Sequence, residues 1–143
     1  MKITQISVFL ENRKGRLHQV CNLLGENNIN IRALTIAETE SFGVLRIVVD
    51  DSEKAITTLK QNHFVANITD VTAVEVDDKP GGLSKILKIL DENDVNIEYM
   101  YGFMEKFSDK ALLVFRFENT ETAQKVLLEN NIKIVTRQEI KGL

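Results

Sequence analysis

The chain lacks most of what chemistry at a protein surface requires. Its single cysteine, Cys21, has no partner for an internal disulfide. It falls on the apolar stripe of a predicted helix beside Leu17, Val20 and Leu24, so a buried, inert thiol is expected rather than a nucleophile. The only two histidines, His18 and His63, have no Cys or carboxylate at ligand spacing, which speaks against a metal site. No nucleophile stands near a base and there is no phosphate loop, so neither a catalytic centre nor a cofactor is expected. Excess positive charge is also missing. A net charge of −3 and a pI near 5.5 offer no basic field for nucleic-acid phosphates. No apolar run is long enough to span a bilayer and the start carries no signal-peptide pattern, so a cytoplasmic address without membrane contact is expected.

What the chain does have is a repeat. Residues Gly15 to Ile31 lie over Gly81 to Ile97 at a constant offset of 66, with Gly, Leu, Leu, Glu, Asn, Asn and Ile recurring in place. The match resumes after a hairpin: Leu45, Asp51, Ala55, Leu59 and Asn62 lie over Leu113, Asn119, Ala123, Leu127 and Asn130, now at an offset of 68. Two residues have therefore been added between, in the second of the polar hairpins Glu38 to Gly43 and Glu105 to Lys110. The 143 residues divide into two copies of one unit, 1–69 and 70–143, each near the lower limit for an independent core.

Within a copy the patterning alternates between strand and helix. Lys2 to Leu10 is rich in β-branched and apolar residues and reads as a strand. Leu17, Val20, Cys21 and Leu24 recur at i, i+3, i+4 and i+7, one face of a helix, and Leu83, Ile86, Leu87 and Leu90 repeat it. Asn-rich stretches at 26–30 and 93–96 suit helix C-termini, because Asn tolerates the left-handed conformation. Ile29 to Ala37 and Val95 to Met104 then read as second strands, Val44 to Val49 and Ala111 to Phe117 as third strands. Asp50 or Asp51, and Asn119, can cap second helices. His63 to Asp70 and Ile132 to Ile140 supply the last strands, and Phe64 to Val76, with no Pro, Gly or Ser run, serves both copies. The order βαββαβ, twice, implies α+β domains of ferredoxin-like form with both helices on one face of an antiparallel sheet.

The turns before the first helices carry the functional signal. They read Asn12-Arg13-Lys14-Gly15-Arg16-Leu17 and Asp78-Lys79-Pro80-Gly81-Gly82-Leu83. A turn that ends at a helix N-terminus presents unpaired N–H groups and the positive end of the helix dipole, suited to a carboxylate, and glycine admits a ligand close to the main chain. Asn12 or Asp78 could then hold an α-amino group. The plainer alternative is that the glycines only form the turn and Asn12 and Asp78 only cap the helix. For Asn30-Ile31 and Asn96-Ile97, which open the second strands, the plainer alternative is a helix C-cap.

Turn, helix, Asn-Ile and strand order together resemble the ACT domain, a small regulatory module that binds amino acids, over both copies and nearly the whole chain. The first turn is similar to that of the serine-binding regulatory domain of phosphoglycerate dehydrogenase, although Leu10 stands where that domain has a His. The resemblance implies that the copies pair edge to edge through their second strands into an eight-stranded sheet. Two seam pockets would then form, one joining the Asn12 to Arg16 turn to Asn96 and one joining the Asp78 to Gly82 turn to Asn30. The expected function is a free-standing tandem regulatory protein, without catalysis, that binds a small amino acid and signals to a partner. The alternative is a regulatory small subunit of an amino-acid biosynthetic enzyme of the acetolactate synthase type. A homo-oligomer is expected, since small sheets leave edges to cover. RNA binding, which the same fold supports elsewhere, lacks its stacked aromatics in the first and third strands.

Overall fold

A computed structural model describes all residues except 39, 106–108 and 143. Residue 39 of the first expected hairpin and residues 106–108 of the second lie outside the described residues. The elements run β1 (Ile3–Glu11), α1 (Arg16–Glu26), β2 (Ile31–Glu38), β3 (Phe42–Val49), α2 (Ser52–Gln61), β4 (Val65–Val76), α3 (Gly82–Glu92), β5 (Ile97–Gly102), β6 (Ala111–Phe117), α4 (Thr120–Glu129), β7 (Ile134–Val135) and α5 (Arg137–Lys141). The chain forms two compact units, Thr4–Thr69 and Met1–Ile3 with Asp70–Leu143.

In the first unit β3 lies between β2 and β1, antiparallel to both, in a register that sets Glu11 opposite Phe42 and Ile31 opposite Val49. Alternation along the strands sends Ile6, Val8 and Leu10 of β1 and Leu45, Ile47 and Val49 of β3 to one face. There they meet Val20 and Leu24 of α1 and Ala55 and Leu59 of α2. Leu24 and Leu59 are fully buried, each contributing about 1.5–3 kcal/mol through the apolar area removed from water. The second unit repeats the plan. β6 pairs with β5 and β4, β7 flanks β4 on its other side, and Val74, Val76, Phe115 and Phe117 pack against Ile86, Leu90, Ala123 and Leu127. Phe115 and Phe117 stack at 5.4 Å.

The class is therefore α+β with antiparallel sheets and the helices of each unit on one face. Seven strands occur among the described residues where eight were expected. The reason is the shared segment: the last strand of copy one and the first of copy two are one continuous β4, whose Val65–Thr69 part lies in the first unit and Asp70–Val76 in the second. The expected last strand at Ile132–Ile140 is also shorter. It keeps only Ile134–Val135 before Thr136 and Glu139 close a capping box, each side chain bonded to the other's backbone N–H, and start α5.

Second helices are capped by Asp51 and Asn119, whose Oδ1 atoms accept from the amides of Lys54 at 3.1 Å and Thr122 at 3.0 Å. All four long helices end alike. Asn27, Asn62, Asn93 and Asn130 each donate a side-chain N–H to the carbonyl four residues back at 2.8 Å. The residue after each, Asn28, His63, Asp94 or Asn131, is left-handed.

Candidate functional site

The first turn is shaped by backbone bonds. The amide of Asn12 donates to the Ser41 carbonyl at 3.0 Å, that of Arg13 to Glu11 at 2.8 Å and that of Arg16 to Arg13 at 3.4 Å. Gly15 is the N-cap at φ 90°, a conformation that a side chain resists, and it offers no side-chain oxygen to the helix. The amides of Leu17 and His18 consequently have no acceptor among the described residues, and the first turn carries no acidic side chain to offset the dipole. Asn12, Arg13, Lys14, Gly15 and Leu17 are exposed, so an anion can reach those amides from solvent. Asn12 is not the cap, which removes that alternative.

Copy two keeps the frame and changes its contents. Gly81 is the N-cap at φ 83°, again without a side-chain cap, so Asp78 is not the cap either. Asp78, Lys79, Pro80 and Gly81 are exposed, whereas Gly82 is buried and a Cβ there would overlap the carbonyl oxygen of Asp77. Arg16, the residue matching Gly82, instead carries its guanidinium 4.8 Å over the Phe64 ring and donates to Gln19 Oε1 at 2.7 Å. Asp77 pairs with Lys110 at 3.2 Å. That hydrogen bond and its charge hold the Asp77 carboxyl below its usual range, and the Asp77 carboxylate raises Lys110 in turn. Beside this turn lies a polar cavity of about 340 Å³ lined by Asp77, Gly82, Lys85, Lys110 and Lys133 among others.

Asn30 and Asn96 are not helix caps; Asn27 and Asn93 are. Asn30 exchanges bonds with Asp50, its amide donating to Asp50 Oδ1 at 3.0 Å and its carbonyl accepting from the Asp50 amide at 3.1 Å. Asn96 Nδ2 donates to Glu118 Oε2 at 3.2 Å, and its carbonyl accepts from the Glu118 amide at 3.1 Å. Asn96, Glu118, Asn119 and Thr122 line a cavity of about 450 Å³. In the first unit, the register places Asn30 at the opposite end of the sheet from the Asn12–Leu17 turn. Phe42 to Val49 is seven residue steps, roughly 23 Å at the usual strand rise. No unit by itself unites a turn with its own Asn. Ile31, Leu83 and Ile97 are half-buried and pack against the cores.

The partners Phe64, Lys110, Asp50 and Glu118 were missed in the sequence, because each reaches its site residue across the fold. Among the described residues no group of His, Cys, Asp and Glu could hold a metal ion, and no helix is long and apolar enough to cross a membrane.

A family model described as an ACT domain pair matches residues 1–143. The crystal structure of a protein from Bacteroides thetaiotaomicron superposes with a TM-score of 0.93 at 40% identity, covering 100% of this chain and 98% of that one. The ligand-free regulatory subunit of aspartate kinase from Thermus thermophilus has a TM-score of 0.62 at 16% identity, over 88% of this chain and 90% of that one, a likeness of fold. An acetolactate synthase small subunit from Buchnera aphidicola is 32% identical over 78 residues, 52% of this chain. The chain spans about half the length of that curated relative, 49%.

Proposed function

The chain belongs to the ACT domain pair family, and on that premise we propose that it binds a small amino acid at its first-helix turns and passes the occupancy to a partner protein. The observation that carries this reading is the first turn of α1. Two amides with no acceptor among the described residues, those of Leu17 and His18, stand behind a glycine with no Cβ at the positive end of a helix whose first turn carries no acidic residue to compete. An α-carboxylate satisfies both amides and the dipole together, while Asn12 offers a side-chain oxygen to an α-ammonium. In copy two, Gly81 and Asp78 take the same positions. Arg13, Lys14, Lys79 and Pro80 form the rim of the two turns. The protein performs no chemistry of its own; its effect is a coupling free energy, so the partner must alter amino-acid affinity in return.

A second reading, a regulatory small subunit held by a biosynthetic enzyme, is supported by the resemblance to the Buchnera acetolactate synthase small subunit. A thermal-shift screen against the twenty amino acids separates the two. A ligand that binds only the folded chain stabilises it by about 2.7 kcal/mol at a hundred times its dissociation constant. A shift with one or a few amino acids supports the sensor. No shift with any, from folded protein, removes it and leaves the subunit reading, for which co-purification with one enzyme at fixed stoichiometry is expected.

A further inference from the structure

The first unit carries an open, solvent-facing depression of about 360 Å³ along the flank of α1, running from Arg16 to Glu26 and bordered by Asn62 and Phe64 after α2. Its volume is that of a small-molecule site. Arg16 dominates it. The Phe64 ring covers one face of the guanidinium at 4.8 Å, Gln19 Oε1 holds Nη1 at 2.7 Å, and Nε is buried with no acceptor among the described residues. A guanidinium fixed in this way is already oriented, so an incoming anion loses little entropy in meeting it, and the unbonded Nε leaves its charge under-compensated. Among the described residues Nη2 and the second N–H of Nη1 carry no bond, and these are the donors a carboxylate can take.

The rest of the lining narrows the ligand. Leu23 and Phe64 supply apolar surface, and the side-chain amides of Asn22 and Asn62 each use one N–H internally, on Glu26 Oε1 at 3.0 Å and the Thr58 carbonyl at 2.8 Å, leaving the other. Glu26 also lines the cavity, so a second negative charge on the ligand would be repelled. Copy two cannot form the same site: Gly82 stands in place of Arg16 with no room for a side chain, and Ile132 in place of Phe64.

We propose that this cavity is a second ligand site, private to copy one, that takes a small organic monocarboxylate with its oxygens on Arg16 and its apolar body along Leu23 and Phe64. It does not depend on amino-acid binding at the turns. The test is a nitrogen-15 NMR titration of the full chain with benzoate, and with benzylamine as a cation of the same shape. Benzoate should give saturating shifts at the Arg16 Nε–H and at the Asn22 and Asn62 side-chain amides, and benzylamine none. Arg16→Lys, which loses the fork and the ring stack, should weaken benzoate about tenfold. Phe64→Leu, outside the turn, should weaken it severalfold with the fold intact. Shifts that fail to saturate, equal shifts with benzylamine, or Arg16→Lys binding within about twofold of the parent would overturn the proposal. Amino acids acting at the turn report instead on the Leu17 and His18 backbone amides, so either site can fail without the other.

Discussion

The two copies end their helices in the same way and begin their first helices differently. At the ends, four Asn side chains reach back to the carbonyl four residues earlier at 2.8 Å, and four left-handed residues follow at φ between 57° and 64°. The starts of the second helices match as well, with Asp51 and Asn119 capping alike. At the starts of the first helices the glycine and the leucine two residues on are kept, with Gly15 and Gly81 at φ 90° and 83°, while in the aligned repeat Arg16 corresponds to Gly82, Lys14 to Pro80 and Phe42 to Lys110. Closing a helix is a demand of the fold and is met identically in both copies. The side chains that meet solvent at the first turns answer to something else, which is where a pair of binding sites would separate in affinity and ligand.

The sharpest way to break this comparison is to exchange the residues that differ. Gly82→Ala drives a Cβ into the Asp77 carbonyl and should lower stability by about 3 kcal/mol, whereas Arg16→Gly at the matching position should cost about 1 kcal/mol from helix propensity. Urea midpoints measure both, and equal losses would mean that the turns are interchangeable. The residues that agree should respond alike. Gly15→Ala and Gly81→Ala force a side chain into the left-handed region at about 1–2 kcal/mol each, and Asp51→Ala and Asn119→Ala each remove a cap at about 1 kcal/mol. A twofold difference within either pair would show that the copies do not share their frame.

The smallest effect is in pH. Because Lys110 holds Asp77 below its ordinary value of 3.8, the pair contributes fully above that pH, and the contribution is lost as pH falls through the lowered folded value. Lys110 is raised above 10.5, so at the alkaline end the contribution is present below that pH and lost as pH rises through the raised folded value. Lys110→Met, which brings copy two nearer to the apolar Phe42, should flatten the acid limb of a stability profile. The pair is exposed, so the change will be small, and an unchanged limb would remove Asp77 from acid sensitivity.

Local periodicity made the repeat, the first helices, the second-helix caps and the glycine turns legible in the sequence. Long-range partners were not legible. Nothing near Arg16 shows that its guanidinium rests on Phe64, 48 residues away. Asn30 and Asn96 sit one turn past a helix end, so capping was a fair local reading, but Asn27 and Asn93 take that role and free the later pair to join Asp50 and Glu118. The last strand is shorter than its composition implies: Ile132, Ile134 and Val135 favour extended backbone, but the Thr136 to Glu139 capping box stops the strand and starts a helix. The sharing of Phe64 to Val76 between the copies was legible and is seen as the single strand Val65–Val76; the expected eight strands counted it once for each copy.

The most direct measurement of the central claim is an amide NMR titration of the full chain with each of the twenty amino acids, followed at Leu17 and His18 in copy one and at Leu83 and Ser84 in copy two. Binding at the turns predicts saturable shifts at these first-turn amides with one or a few amino acids, at different concentrations in the two copies. If no amino acid moves any of the four, the helix starts are not amino-acid sites and the proposed function is wrong.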